Sequence, residues 1–397
     1  MRAGVFMLGT GFYFDWPNYR TMRRLLRRDP PAAARWQRFF GFAVAVPAIA
    51  AIHAVCFALD PILFGSLRRT QVVAPVFCIG HARSGTTYLH RLMANDPQFS
   101  YAMMYELFFP SLLEKRLLRL LFRVDAAVFG KRLRHRLDEI EKRRFAPTDD
   151  MHKTGFFVPE EDDAFLTWSL CSGFWILMFP FMGELDFYHV DRWPQRKRRR
   201  AMAFYKGCVR RQIAVNGGGT HLSKNPTFCG RVEALIETFP DARFIVPLRN
   251  PDETIPSLLK LLQTEWGLRG RDQRLVEKSL RVLAEQSLDS YQHPLDVLAR
   301  HREVRSVLVD YRELIAQPEV TMRRIYRQLE LDMGPAAAEA FAAAASGSGH
   351  ESTHRYSLEE FGLDSREIHT RLADLFDEYH WDTEAAARTE GTDAHVR

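Results

Sequence analysis

Val76–Met93 reads VFCIGHARSGTTYLHRLM. The stretch is a short apolar strand, then a glycine loop, then a helix that opens at Thr86-Thr87. Loop N–H groups and the positive end of a helix dipole converge on one point in such an arrangement, which suits a phosphate. The spacing is Gly80-x4-Gly85-Thr86-Thr87, with Thr86 where a nucleoside-triphosphate loop carries Lys. The cation sits inside the loop instead, as Arg83. The glycines therefore predict a phosphate-bearing ligand, and the missing Lys argues against ordinary ATP chemistry.

Outward from this loop, three more apolar runs have strand character: Thr220–Ser223, Ala242–Leu248 (ARFIVPL) and Val304–Asp310 (VRSVLVD). Helical stretches separate them, so the expectation is an α/β fold with a central parallel sheet and helices on both faces. Ligands bind such sheets beyond the carboxyl ends of the strands. Three motifs fall there: the glycine loop, Lys224-Asn225-Pro226 and Arg249-Asn250-Pro251. Glu114–Arg144 has helical spacing, and Pro159–Asp163 (PEEDD) is an acidic loop or helix start. Phe165–Phe181 is aromatic enough to wall an acceptor pocket. Arg196–Arg200 (RKRRR) reads as a solvated helical face.

The 397 residues suffice for a full core, and 46% apolar with 26% charged residues indicates a globular chain. Net charge is +6, and only 9 of the 55 basic residues are Lys. Guanidinium forks suit planar oxyanions. No zinc-finger spacing or RNA-binding aromatic motif is present, so nucleic acid is not the expected partner. The five cysteines are scattered without a C-x2-C pair, which predicts buried free thiols and no metal site.

Phe39–Leu59 holds 21 residues without Asp, Glu, Lys or Arg, long enough for a bilayer core, with Pro47 and His53 inside it. Arginines precede it at 20, 23, 24, 27, 28, 35 and 38, and Arg68 and Arg69 follow. Three arrangements fit: a single span, a monotopic helix on the cytoplasmic face with arginines on anionic lipid, or a helix packed on the core. The link to the first strand is too short for a flexible stalk, and no usable glycosylation sequon occurs. The expectation carried forward is the cytoplasmic side of a membrane, peripheral or monotopic. The chain then divides into a basic N-terminal segment, 1–70, a catalytic domain, 71–382, and a disordered tail, 383–397.

IGHARSGTTYLHRLM resembles the 5′-phosphosulfate loop of sulfotransferases that use 3′-phosphoadenylyl sulfate (PAPS). FIVPLRNPDETIPSLLKL resembles their 3′-phosphate segment, an Arg at a strand end followed eight positions later by Ser. Tyr105-Glu106, Lys224-Asn225-Pro226-Thr227, His354-Arg355-Tyr356-Ser357 and Phe361-Gly362-Leu363 match further features of the bacterial RSGTT type. Asn225 replaces the usual Ser. The resemblance implies a P-loop NTPase-like three-layer fold, with PAPS as co-substrate and no metal.

It also implies roles. Arg83, Ser84, Gly85, Thr86 and Thr87 hold the 5′-phosphate. Arg249 and Ser257 hold the 3′-phosphate, and His354 and Arg355 close over the donor. Glu106 is the expected base for the acceptor hydroxyl or amine, with Glu160, Glu161, Asp162, Asp163 and His81 as rivals. Lys224 is the expected stabiliser of charge on the leaving phosphate. The acceptor is a small molecule, lipid or glycan, and oligomeric state is not legible. Two competing functions remain open here: a P-loop phosphotransferase and a catalytically silent membrane scaffold.

Overall fold

A computed structural model describes residues 11–27, 39–145, 155–346 and 356–381. His354, Arg355 and the 383–397 tail lie outside the described residues. Five strands, β1 (Val76–Cys78), β2 (Phe99–Ser100), β3 (Thr220–Lys224), β4 (Arg243–Leu248) and β5 (Arg305–Asp310), form one sheet in the order β2-β3-β1-β4-β5. Every pairing is parallel, with Phe77 opposite Ser223 on one side and Phe244 on the other. The four strands expected from apolar runs are all present within a residue or so. β2 was not expected, because two residues cannot establish an alternation.

Alternation within the strands builds two cores. Phe77, Ile79, Phe244, Val246 and Leu248 face one cluster, while Val76, Cys78, Ile245, Val307 and Val309 face the other. Nine helices carry the rest of the account: α1 (Trp16–Leu26), α2 (Val46–Leu63), α3 (Thr86–Met93), α4 (Leu112–Val128), α5 (Gln195–Asn216), α6 (Pro251–Leu268), α7 (Gln273–Arg300), α8 (Pro318–Gln328) and α9 (Pro335–Ser346). The first cluster is closed by α5, α6 and α7, and the second by α3, α8 and α9. The result is three layers, helices–sheet–helices.

The apolar N-terminal stretch is helical through Leu63 and opens with a π-type turn, Gly41–Ala45. Pro47 lies directly after that π turn inside a continuous helix, where the wider turn accommodates a residue that cannot donate an N–H. One side of α2 packs on the domain: a Cβ on Gly207 of α5 would stand 2.9 Å from the Phe57 ring. Asp60 accepts from Arg211 Nε (2.6 Å) and from the Leu112 and Leu113 N–H groups (2.9 and 2.8 Å), so it also satisfies the open N-terminus of α4. His53 Nδ1 lies 2.6 Å from Glu114 Oε1.

The helical stretch expected over Glu114–Arg144 is two helices, α4 and Arg132–Phe145. They break at Gly130 and Lys131, which both adopt positive φ (61° and 63°). The basic run at 196–200 is not simply solvated. Lys197 pairs with Asp15 (3.3 Å) and lies over Trp193, and Arg200 lies over Tyr13. These contacts hold the start of α1 to α5. Much of Phe165–Phe181 is core rather than pocket wall: Phe165, Trp175, Phe179 and Phe181 are buried.

Candidate functional site

The glycine loop, Lys224 and Arg249 lie at the carboxyl ends of β1, β3 and β4. The β1–α3 loop needs its glycines. Gly80 (φ 125°) lies so close to β4 that a Cβ would meet the Pro247 carbonyl at 2.7 Å. Gly85 (φ 84°) would meet the Tyr311 ring at 2.7 Å. Arg83 also adopts positive φ (73°), an uncommon conformation for a side-chain-bearing residue. The Gly80 N–H donates to Cys229 Sγ (3.1 Å), so the start of the loop is anchored to the segment after β3. Burial pushes that thiol up to about 12 and keeps it protonated. Ser84 and Thr86 are buried within the loop, with Ser84 beside the Tyr291 hydroxyl.

Arg83 Nε donates to Ser257 Oγ (3.1 Å), and Arg249 Nη1 donates to the Arg83 carbonyl (3.2 Å). Residues far apart in sequence thus form one patch at the ends of β1 and β4. Tyr291 donates to the Arg249 carbonyl (2.7 Å), and the Tyr311 ring lies 4.4 Å below the Arg249 guanidinium. Glu253 pairs with Arg249 at 2.7 Å. Burial, and next the neighbouring Arg249, depress the Arg83 guanidinium. Two guanidiniums forced together repel each other, and a polyanion bound between them would remove that cost. Tyr356, from the segment after residue 355, acts electrostatically on Arg83 as well.

Lys224, fully buried at the end of β3, reaches the other side of the loop. Its Nζ stands 3.4 Å from Thr87 Oγ1, 3.2 Å from Glu160 Oε2 and 3.3 Å from Glu161 Oε1. Burial acts to lower its pKa, but Glu160 and Glu161 outweigh that and hold it above the usual lysine value. One ammonium cannot fully neutralise two carboxylates. Burial, against the pull of Lys224 and with Glu160 beside it, leaves Glu161 raised above the ordinary glutamate range. Glu160 is buried; Glu161 is ringed by enough protein to be desolvated, yet 34% of its side chain still meets solvent, which limits how far burial raises it.

Asp162 and Asp163 are structural. Asp162 accepts from Tyr205 (2.5 Å), His221 (2.7 Å), Ser223 (2.7 Å) and Asn225. Burial works to raise its pKa, but these donors, His221 foremost, bring it below the usual value. Asp163 pairs with Arg231 (3.0 Å). Asn225, which departs from the family pattern, bridges both aspartates by donating to Asp162 and accepting from the Asp163 N–H (3.0 Å).

Among the described residues, Glu106 and Lys224 have separate partners and no hydrogen bond or ion pair joins them. Its carboxylate is 1% exposed and accepts from Arg119 (2.6 Å), Gln212 (3.0 Å) and the Met103 N–H (3.2 Å). The last bond closes a short helix, Met104–Leu107. Lys115 donates to the Glu106 carbonyl (2.9 Å). Glu106, the residue expected as the base, is thus engaged as a buried brace between α4 and α5, while its rivals Glu160 and Glu161 pair with Lys224. His81 stacks on Tyr291 (5.2 Å), and burial lowers it to about 4, so it is neutral at pH 7. Among the described residues no cluster of three or more His, Cys, Asp or Glu is arranged around a metal-sized point.

Sequence reasoning did not single out Tyr311 or Tyr291. Both lie in ordinary helical contexts, and only the topology brings them under Arg249.

Residues 75–335 match the model of the sulfotransferase family. The chain is 26% identical over 328 residues to the omega-hydroxy-beta-dihydromenaquinone-9 sulfotransferase Stf3 of Mycobacterium bovis, covering 79% of this chain and 77% of that one. The fold is similar to the crystal structures of sulfotransferase STF1 from Mycobacterium tuberculosis (TM-score 0.65, 19% identity, 91% and 94% of the two chains) and STF9 from Mycobacterium avium (TM-score 0.65, 18% identity, 95% of each).

Proposed function

The chain belongs to the sulfotransferase family, and we propose that it transfers a sulfuryl group from PAPS to the hydroxyl of a menaquinone-type lipid. The observation that supports the donor most is the 3.2 Å contact between Arg249 and the Arg83 carbonyl. It fuses the glycine loop and the strand-end arginine into one basin, as a nucleotide with phosphate at both 3′ and 5′ positions requires. The 3′-phosphate falls to Arg249 and Ser257 and, in a change from the expectation that placed it at the 5′-phosphate, to Arg83, whose guanidinium reaches Ser257. The 5′-phosphosulfate falls to the loop N–H groups, Thr86, Thr87 and Lys224.

In sulfuryl transfer an acceptor oxygen bonds to sulfur as the bond from sulfur to the phosphate oxygen breaks. In this reading Lys224, 3.4 Å from Thr87 of the loop, stabilises the negative charge that grows on that phosphate oxygen, and its raised pKa keeps it cationic. Glu161 takes the acceptor's proton in this reading, in place of Glu106. It touches Lys224 and remains partly open, and its raised pKa makes its carboxylate a stronger base than an ordinary glutamate. Glu160 stays with Lys224 and orients it.

The acceptor class follows from the relative that acts on omega-hydroxy-beta-dihydromenaquinone-9. Radiolabelled PAPS supplied with a hydroxylated menaquinone and, separately, with water-soluble alcohols tests it. Label in the lipid is expected. Label only in the soluble alcohols would refute the lipid assignment, and no transfer to any acceptor with intact donor binding would refute the catalytic reading.

A further inference from the structure

Two helices of this chain are inside-out. Along Gly41–Leu63 the outward positions are Val44, Ala48, Ile52, Val55, Leu59 and Ile62, a three-to-four residue stripe without a polar atom in its side chains. The only charged residue, Asp60, and the only histidine, His53, face inward to Arg211 and Glu114. The pattern repeats on α4. Leu117, Leu120, Leu121, Val124 and Val128 are exposed, whereas Lys115 and Asp125 are buried. Exposures of 60% at Ile52, 72% at Ile62 and 68% at Val128 are the reverse of what water selects.

The two stripes belong to one rigid unit. Asp60 caps the start of α4, His53 meets Glu114, and the Arg116 guanidinium lies 4.3 Å from the Phe64 ring. Exposed basic residues border them: Arg68 and Arg69 after α2, Arg116 and Arg123 on α4, Lys131 and Arg132 beyond it.

We propose that these two helices form a monotopic seat on the surface of a bilayer with anionic headgroups. The stripes enter the interface, and the basic border meets lipid phosphate. Charge selects this occupant over a second copy of the chain, whose identical basic border would face itself across the contact. A transbilayer course for α2 would strip Asp60 from Arg211 and from the α4 N-terminus and leave its charge in hydrocarbon. Phe122 of α4 packs on Tyr105 (5.2 Å) and Phe157 (5.3 Å), and that second strip of chain runs on to Glu160 and Glu161. The seat therefore abuts the acceptor side of the site, yet it stands independently of which acceptor is used.

Co-sedimentation of the full chain with vesicles tests it. Vesicles containing phosphatidylglycerol should bind the protein, weakening with salt, and phosphatidylcholine alone should bind it less. The triple variant Ile52→Glu/Leu120→Glu/Leu121→Glu should bind about 100-fold less, and Arg116→Glu/Arg123→Glu about thirtyfold less. Both should retain wild-type affinity for adenosine 3′,5′-bisphosphate, which reports the fold without turnover. Absence of wild-type binding to either vesicle overturns the seat, as does vesicle binding by the triple variant equal to wild type. Concentration-dependent dimers abolished by the triple variant, without vesicle binding, would establish a second copy as the occupant.

Discussion

Glu106→Gln and Glu161→Gln separate a brace from a base. Glu106 is buried and holds Arg119, Gln212 and the Met103 N–H at once. Breaking a fully buried ion pair costs about 3–5 kcal/mol. Arg119 is 32% exposed, so solvent recovers part of its charge and the glutamine retains some hydrogen bonds. A loss of about 2 kcal/mol follows, a fall of roughly 2–5 °C in melting temperature for a chain of this size. Turnover of the folded fraction should stay within about threefold of wild type. Glu161→Gln leaves Lys224 its partner Glu160, so stability should move by less than about 0.5 kcal/mol. Its kcat should fall about 10²- to 10⁴-fold, the range for a removed general base. The assay pairs thermal unfolding with sulfate transfer from labelled PAPS, and bisphosphate affinity serves as the control for the donor site. Loss of turnover in Glu106→Gln at wild-type stability, with Glu161→Gln active, would refute the reassignment and restore Glu106 as the base.

Arg249→Ala should weaken adenosine 3′,5′-bisphosphate binding about 10- to 100-fold while leaving the affinity for adenosine 5′-phosphosulfate nearly unchanged, since that ligand lacks the 3′-phosphate; calorimetry with both ligands checks it. Gly85→Ala combines a positive φ, worth about 1 kcal/mol, with a Cβ 2.7 Å from Tyr311, and should lower donor affinity at least tenfold by equilibrium binding. The raised Glu161 must be deprotonated to act, so the acid limb of kcat/KM should lie above the ordinary glutamate value of about 4.3 and move or vanish in Glu161→Gln. Asp162 is depressed in the folded state, so its contribution to stability is full above the unfolded aspartate value of about 3.9 and is lost as pH falls through its lower folded value. Melting curves of wild type and Asp162→Asn across acid pH should show that component disappear in the variant.

The parts of the site legible in sequence were those with a local signature. Gly80, Lys224 and Arg249 each lie at or just past the end of a strand, Gly85 opens the helix that follows β1, and all four sit at the carboxyl edge of the sheet. The three-layer fold followed from four apolar runs, because parallel strands buried on both faces need no alternation with water. Choosing between carboxylates was different. Glu106 sits among hydrophobic residues and Glu161 in an acidic run, and neither local pattern says which receives the ammonium. That depends on the pairing of 103–105 with 156–159, which brings the PEEDD segment beside β3. The aromatic stretch 165–181 misled for a related reason, since a core wall and a ligand wall have the same composition. On α4 the periodicity was plain, but the sign of its amphipathicity was not: only burial reveals that the leucines face out.

Whether one basin grips a nucleotide by phosphates at both ends is decided by calorimetric titration with adenosine 3′,5′-bisphosphate, adenosine 5′-phosphate and ADP with magnesium. The bisphosphate should bind without metal, and removing its 3′-phosphate should weaken binding at least tenfold. ADP with magnesium binding as tightly as the bisphosphate, or a 3′-phosphate that adds nothing, would contradict the account.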